Sequence, residues 1–159
     1  MKVGQQHFRS IWVADGKVRI IDQTRLPHEF TPVALETLDQ AATAIRDMWV
    51  RGAPLIGATA AYGVAIAMRS DPSDAGLRSA VDLLMATRPT AVNLRWALED
   101  MAAHLGEHAP AARHEAALAR AAAIADDDAA MNEAIGTHGL SIIEAIAARK
   151  PGPVNVLTH

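Results

Sequence analysis

The amino-acid sequence predicts an α+β fold: a small antiparallel sheet, a helical body, and a last short β run that opens a second, parallel sheet. Three observations point to it. The first third alternates polar and apolar residues around Asp15-Gly16. From Thr37 the apolar period lengthens to that of a helix, and after Lys150-Pro151-Gly152-Pro153 it shortens again. The 159 residues are 50% hydrophobic but only 4% aromatic, which favours close-packed helices over a β-sandwich. An N-terminal sheet-plus-helices domain is therefore placed at residues 1–150, and the first strand of a second domain at 151–159.

Taken in order, "FRSIWV" alternates up to Asp15-Gly16, a dipeptide suited to a two-residue hairpin turn, and "KVRIID" leaves it. "DQTRLPHEF" is a turn region. Phe30 to Glu36 reads as a third strand, which Pro32 confines to an edge or begins. Three strands are too few to stand alone, so the sheet is expected to lie on helices. Leu38, Ala41, Ala42, Ile45 and Met48–Trp49 recur at helical spacing, with Thr37 or Asp39 able to cap the start. Pro54 suits the first turn of a second helix, where a missing N–H is harmless, and this helix is expected to run to about Met68. Ser70 to Asp74 is a loop with capping residues, Leu77 to Ala86 a third helix, and Ala91 to Leu105 a fourth, after the interruption Thr87-Arg88-Pro89-Thr90. Beyond a break at His108 to Pro110, an alanine-rich helical stretch is expected to reach Ala148, dividing near Gly136 or Gly139. Val154, Val156 and Leu157 form the closing β run. A strand that follows a helix opens a parallel sheet, and ligands bind at the carboxyl end of such strands. The chain stops there, at His159, so the sequence reads as the N-terminal part of a longer protein.

Composition excludes several classes of function. A net charge of −3 leaves no electrostatic footprint for nucleic acid or an acidic membrane. With no cysteine in the chain, disulfides, thiolate metal sites and a cysteine nucleophile are ruled out within it. "MKVGQQHFRS" has no apolar core of a signal peptide, and no apolar run reaches membrane-spanning length. A soluble, cytoplasmic protein is the expectation.

Two stretches could carry chemistry. Arg51-Gly52-Ala53-Pro54 stands between two helices. Gly52 and Ala53 have no bulk to block a ligand from the backbone N–H groups at the helix start, where the dipole favours an anion and Arg51 adds a planar fork for phosphate or carboxylate. A tight turn with a solvated arginine would look the same locally. Thr87-Arg88-Pro89-Thr90 repeats the layout, with Arg88 free to swing across a helix mouth and Thr90 offering a hydroxyl. Two arginine-then-proline helix entries suggest convergence on one anion. His104 and His108 at i, i+4, with His114 beyond, suit a helix C-terminus better than a metal. Asp126-Asp127-Asp128 reads as a solvated helix face, and no nucleotide-binding glycine fingerprint is present. No metal site is expected.

The exact strings go further. "DQTRLP" (Asp22 to Pro27), "MWVRGAPLIGATAAYGVA" (Met48 to Ala65), "RPTAVNLRWAL" (Arg88 to Leu98) and "VNVLTH" (Val154 to His159) occur in one order and spacing. Together they resemble the N-terminal part of the methylthioribose-1-phosphate isomerase family. "RGAPLIGATAAYG" marks the wider superfamily, which includes regulatory subunits of the translation initiation exchange factor; "RPTAVNLRWAL" with "NVLTH" favours the isomerase. The resemblance implies a small antiparallel sheet with helices, followed by a Rossmann-like domain, and a cytoplasmic homodimer without organic cofactor. The implied reaction is aldose–ketose isomerisation of 5-methylthioribose 1-phosphate in methionine salvage. Arg51, Gly52 and Ala53 match the family's first substrate-binding motif and Arg88 its second arginine. The family's catalytic cysteine follows the "LTH" at which this chain stops, and its catalytic aspartate lies further on, so the chain alone is expected to be inactive. Two alternatives remain: a ribose-1,5-bisphosphate isomerase, whose second phosphate calls for more basic residues, and a non-enzymatic exchange-factor subunit.

Overall fold

Asp15 and Gly16 both take positive φ, 54° and 69°, the backbone that a two-residue hairpin with right-handed strand twist requires. In the computed structural model, which describes residues 2–157, they join β3 (Ile11–Ala14) to β4 (Lys17–Ile21), with Ala14 paired to Lys17 and Ile11 to Ile20. β5 (Pro32–Leu35) pairs antiparallel with the other side of β4. Pro32 thus begins a strand that lies at a sheet edge, where its missing donor disrupts no ladder. A separate hairpin of β1 (Lys2–Val3) and β2 (Gln6–His7), turning at Gly4, precedes them. Its two-residue strands have no run long enough to show a period.

One face of the three-stranded sheet, through Ile11, Val18, Ile20 and Leu35, joins the buried core. The helices around it are α1 (Leu38–Arg46), α2 (Ala53–Ser70), α3 (Asp74–Met85) and α4 (Val92–Gly106). α2 is the axle: every residue from Ile56 to Ile66 is buried, and α1, α3 and α4 all pack on it. A helix apolar on every side needs such central placement. Its small residues set the packing distance. A methyl group added at Gly63 would lie 3.1 Å from both Ala41 Cβ and Leu84 Cδ1, so α1 and α3 close on α2 only because that position has no side chain.

Arg113 staples the far end of this body. It is 4% exposed, and its guanidinium donates to the carbonyls of Leu105 (3.0 Å), His108 (3.1 Å) and Pro72 (2.9 Å) and to Asp74 Oδ1 (2.6 Å). It opens α5 (Arg113–Ala147), after a 3-10 turn at Pro110–Ala112. Ala117, Ala121 and Ile124 of α5 are buried.

The chain divides into two compact units between Ala125 and Asp126. In the second, Met131, Ile135, Leu140 and Ile142 are more than half exposed. Two expectations need correction. α5 is not divided at Gly136 or Gly139: each glycine keeps its N–H and C=O in the ladder and costs only about 1 kcal/mol in a helix interior. Val154 to Leu157 do not form the expected strand, because a strand exists only as part of a hydrogen-bonded ladder and no neighbour lies beside it among the described residues. Thr158 and His159 lie outside the described residues.

Candidate anion-binding site

The first helix mouth is that of α2. Met48 turns with φ 61°, and Gly52 takes φ 95° and ψ 128° as the N-cap. A Cβ at Gly52 would meet nothing within 4 Å, so the requirement there is conformational: only glycine adopts that backbone cheaply. No side chain caps α2. The first helical bond is Ile56 N–H to the Gly52 carbonyl, at 3.1 Å. The N–H groups of Ala53 and Leu55 therefore have no acceptor within the helix, and Pro54 has none to satisfy. Arg51, exposed just outside, donates from Nη2 to the Gln23 carbonyl at 2.7 Å. That uses one of its five donors.

The second mouth is that of α4. Ala91 N–H donates to the Arg88 carbonyl at 3.0 Å, closing a turn with Pro89 at its second position. Ala91 is the N-cap and again no side chain caps the helix. The Thr90 hydroxyl does not take that role. Arg88 is half-buried, and among the described residues its guanidinium makes no hydrogen bond or ion pair. Arg95, one turn into α4, reaches back toward the Pro89 carbonyl at 3.4 Å and adds a cation that the linear pattern did not single out.

Gly57 joins the two mouths. A methyl there would lie 3.0 Å from the Asn93 carbonyl and 3.4 Å from Ala97 Cβ. Gly57 is in the second turn of α2 and Asn93 in the first turn of α4, so the two uncapped starts lie side by side. The small-residue run made Gly57 visible, but only the fold shows which backbone it admits.

The starts of α1 and α3 differ. Thr37 Oγ1 accepts from Gln40 N–H at 3.2 Å, and Gln40 Oε1 accepts from the N–H groups of Thr37 (3.2 Å) and Glu36 (2.7 Å), a full capping box. Ser73 Oγ accepts from Gly76 N–H at 3.0 Å. Carboxylates stand beside both. Hydrogen bonding and charge from Lys17, 2.7 Å away, hold Glu36 below the usual carboxylate range; the Ser73 side-chain and backbone donors do the same for Asp71. At these two starts side chains already occupy first-turn amides, whereas the starts of α2 and α4 present bare amides and arginines.

His108 Nδ1 lies 2.9 Å from the His104 carbonyl at the end of α4, and His114 Nδ1 lies 3.0 Å from the Ala65 carbonyl. Among the described residues no three His, Cys, Asp or Glu side chains are grouped to hold a metal. Asp126 and Asp127 are exposed on α5, as a solvated face would be. No helix among the described residues is long and apolar enough to cross a membrane.

Comparison with known proteins resolves the family. The Initiation factor 2 subunit family profile matches residues 49–159, which include both arginine-led helix mouths. The chain belongs to the initiation factor 2 subunit family. Within reach of that family, a methylthioribose-1-phosphate isomerase from Cereibacter sphaeroides is 57% identical over 159 residues, covering 100% of this chain and 44% of that protein. Two solved structures are similar in fold. The delta subunit of translation initiation factor eIF-2B from A. fulgidus has a TM-score of 0.71 and 35% identity, covering 77% of this chain and 38% of that one. The 5-methylthioribose 1-phosphate isomerase from Pyrococcus horikoshii OT3 has a TM-score of 0.69 and 33% identity, covering 75% and 36%. The chain spans less than half the length of the curated methylthioribose-1-phosphate isomerases it matches.

Proposed function

We propose that this chain supplies the phosphate side of the site of a methylthioribose-1-phosphate isomerase. The observation that supports it most is the pairing of two uncapped, arginine-led helix starts across Gly57. The names of the 57–60% identical relatives support the choice of substrate. In this reading Arg51, Gly52 and Ala53 hold the phosphate at the mouth of α2, and Arg88 closes on it from α4. Backbone N–H groups and guanidinium donors suit a dianion that undergoes no bond change itself. Phosphate on the anomeric oxygen blocks the ring opening open to a free sugar. The site must therefore release the ring oxygen from C1, pass hydrogen from C2 to C1, and turn the C2 hydroxyl into a carbonyl. Holding the phosphate fixes C1 and C2 against the groups that move that hydrogen. Those groups belong to the second, Rossmann-like domain that the resemblance implies. The homodimer, the cytoplasmic location, the place in methionine salvage and the lack of a cofactor are parts of the same proposal.

The likeness to the eIF-2B delta subunit favours a second reading, a non-enzymatic subunit acting through protein contacts. One experiment separates them: joining this chain to the part of the Cereibacter sphaeroides protein that it does not match, and following ketose 1-phosphate formation by NMR. Conversion that Arg51→Ala and Arg88→Ala each abolish is the expected result. A folded chimaera without activity, or activity indifferent to both substitutions, contradicts the proposal.

A further inference from the structure

The segment "DQTRLP" supplies the acceptor, the Gln23 carbonyl, for the hydrogen bond that Arg51 donates. Asp22 is one of three buried polar residues among the described residues, 7% exposed, at the exit of β4. Its Oδ1 accepts from Thr24 N–H at 3.0 Å and from Thr24 Oγ1 at 2.6 Å. A carboxylate bonded to the N–H two residues on closes a ring around the residue between, here Gln23, and sets the orientation of its peptide groups. Asp22 is itself fixed, its N–H donating to the Thr31 carbonyl at 2.9 Å. Gln23 is then clamped from the α2 side. Its N–H donates to the Trp49 carbonyl at 2.8 Å, and its carbonyl accepts from Arg51 Nη2 at 2.7 Å. The same residue thus meets, through its two peptide groups, the chain two residues before Arg51 and the Arg51 guanidinium itself.

We infer that the Asp22–Thr24 turn is the positioning element of Arg51: it presents the Gln23 carbonyl that holds the guanidinium at the mouth of α2. The functional half of this inference rests on the phosphate role proposed above for Arg51. An exposed arginine otherwise loses side-chain freedom when it takes a ligand. Anchoring one donor to a rigid carbonyl removes part of that loss beforehand and leaves the other donors free. Thr24 and Asp22 touch no ligand in this account, so both are positioning residues.

Thr24→Val removes the hydroxyl bond, and because Thr24 is exposed the variant should fold. Two readouts test it. The first needs no ligand: the Arg51 guanidinium N–H signals, followed by ¹⁵N relaxation, should show an ordered side chain that becomes mobile in Thr24→Val and is ordered again in Thr24→Ser. The second is calorimetric titration with ribose 1-phosphate. Affinity should fall about tenfold in Thr24→Val, the worth of roughly one hydrogen bond, recover in Thr24→Ser, and not fall further when Thr24→Val is added to Arg51→Ala. Unchanged Arg51 order in Thr24→Val overturns the inference, as does an equal loss of affinity with and without Arg51. Should Thr24→Val prove unstable, Thr24→Ala is read in the same way. Failure of the unaltered chain to bind ribose 1-phosphate, with Arg51 order still dependent on Thr24, would instead strike the phosphate reading.

Discussion

Arg113 and Arg51 each stand beside a helix start, and they do opposite things. Arg113 is buried beside the start of α3 and spends its donors on four acceptors, three of them backbone carbonyls. Arg51 is exposed beside the start of α2 and spends one. The helix starts differ in the same sense. Those of α1 and α3 are satisfied by Thr37 and Ser73, whereas those of α2 and α4 have no side-chain cap. A cap is worth about 1 kcal/mol, so two of the four starts forgo stability that a single serine or threonine would supply. They are also the two starts that Gly57 brings together. Stability and binding are thus divided between pairs of helix ends, and each pair can be disturbed separately.

The largest expected effect is on the stabilising side. Arg113→Leu strands the Leu105, His108 and Pro72 carbonyls and should destabilise the fold by about 3 kcal/mol in denaturant unfolding, while leaving the mouth of α2 intact. On the other side, Arg51→Ala or Arg88→Ala should weaken binding of ribose 1-phosphate by about 1.5–3 kcal/mol, the worth of a charge-assisted hydrogen bond. Their effect on stability should stay within ±0.5 kcal/mol, as for other surface substitutions. The sharpest contrast comes from converting one kind of start into the other. Ala91→Ser should gain about 1 kcal/mol of stability by capping α4 and lose phosphate affinity, because the new hydroxyl occupies the amides. Thr37→Ala should lose a similar amount with no change in affinity.

Acid gives the smallest effect. Glu36 and Asp71 titrate below their ordinary values in the folded chain. Their contribution is therefore present above the unfolded carboxylate values and fades as pH falls below about 4. Glu36→Gln and Asp71→Asn should flatten that slope in thermal unfolding at pH 3–5. Both lie beside the capped starts, so phosphate binding should not follow it.

Much of this division was written in local sequence. Asp15-Gly16 announced a hairpin, Thr37 a cap, and Pro54 the start of α2, because each depends on a residue's own backbone preferences, whereas Pro89 lies in the turn before α4 rather than in its first turn. The arginines at 51 and 88 were legible as candidates for the same reason. What was not legible depends on distant partners. Nothing near Arg113 in the chain shows that Pro72 and Asp74 receive it. Nothing near Gly57 shows that Asn93 lies against it, and the Asx turn at Asp22 gained meaning only when Gln23 met Arg51. The opposite error occurred at Gly136 and Gly139, where a local preference against helix was outweighed by the continuous ladder of α5. Val154 to Leu157 carry a strand pattern without a strand, since pairing cannot come from the segment itself.

The central claim is that the bare starts of α2 and α4 together bind phosphate and the capped starts do not. The most direct measurement is a ¹H–¹⁵N correlation spectrum of this chain titrated with ribose 1-phosphate. The account predicts saturable shifts of the Ala53 and Leu55 amides together with those of Asn93 and Leu94, fitting one dissociation constant, with Gln40 and Gly76 unmoved. Shifts at one start only, shifts at Gln40 and Gly76, or none at all would contradict it.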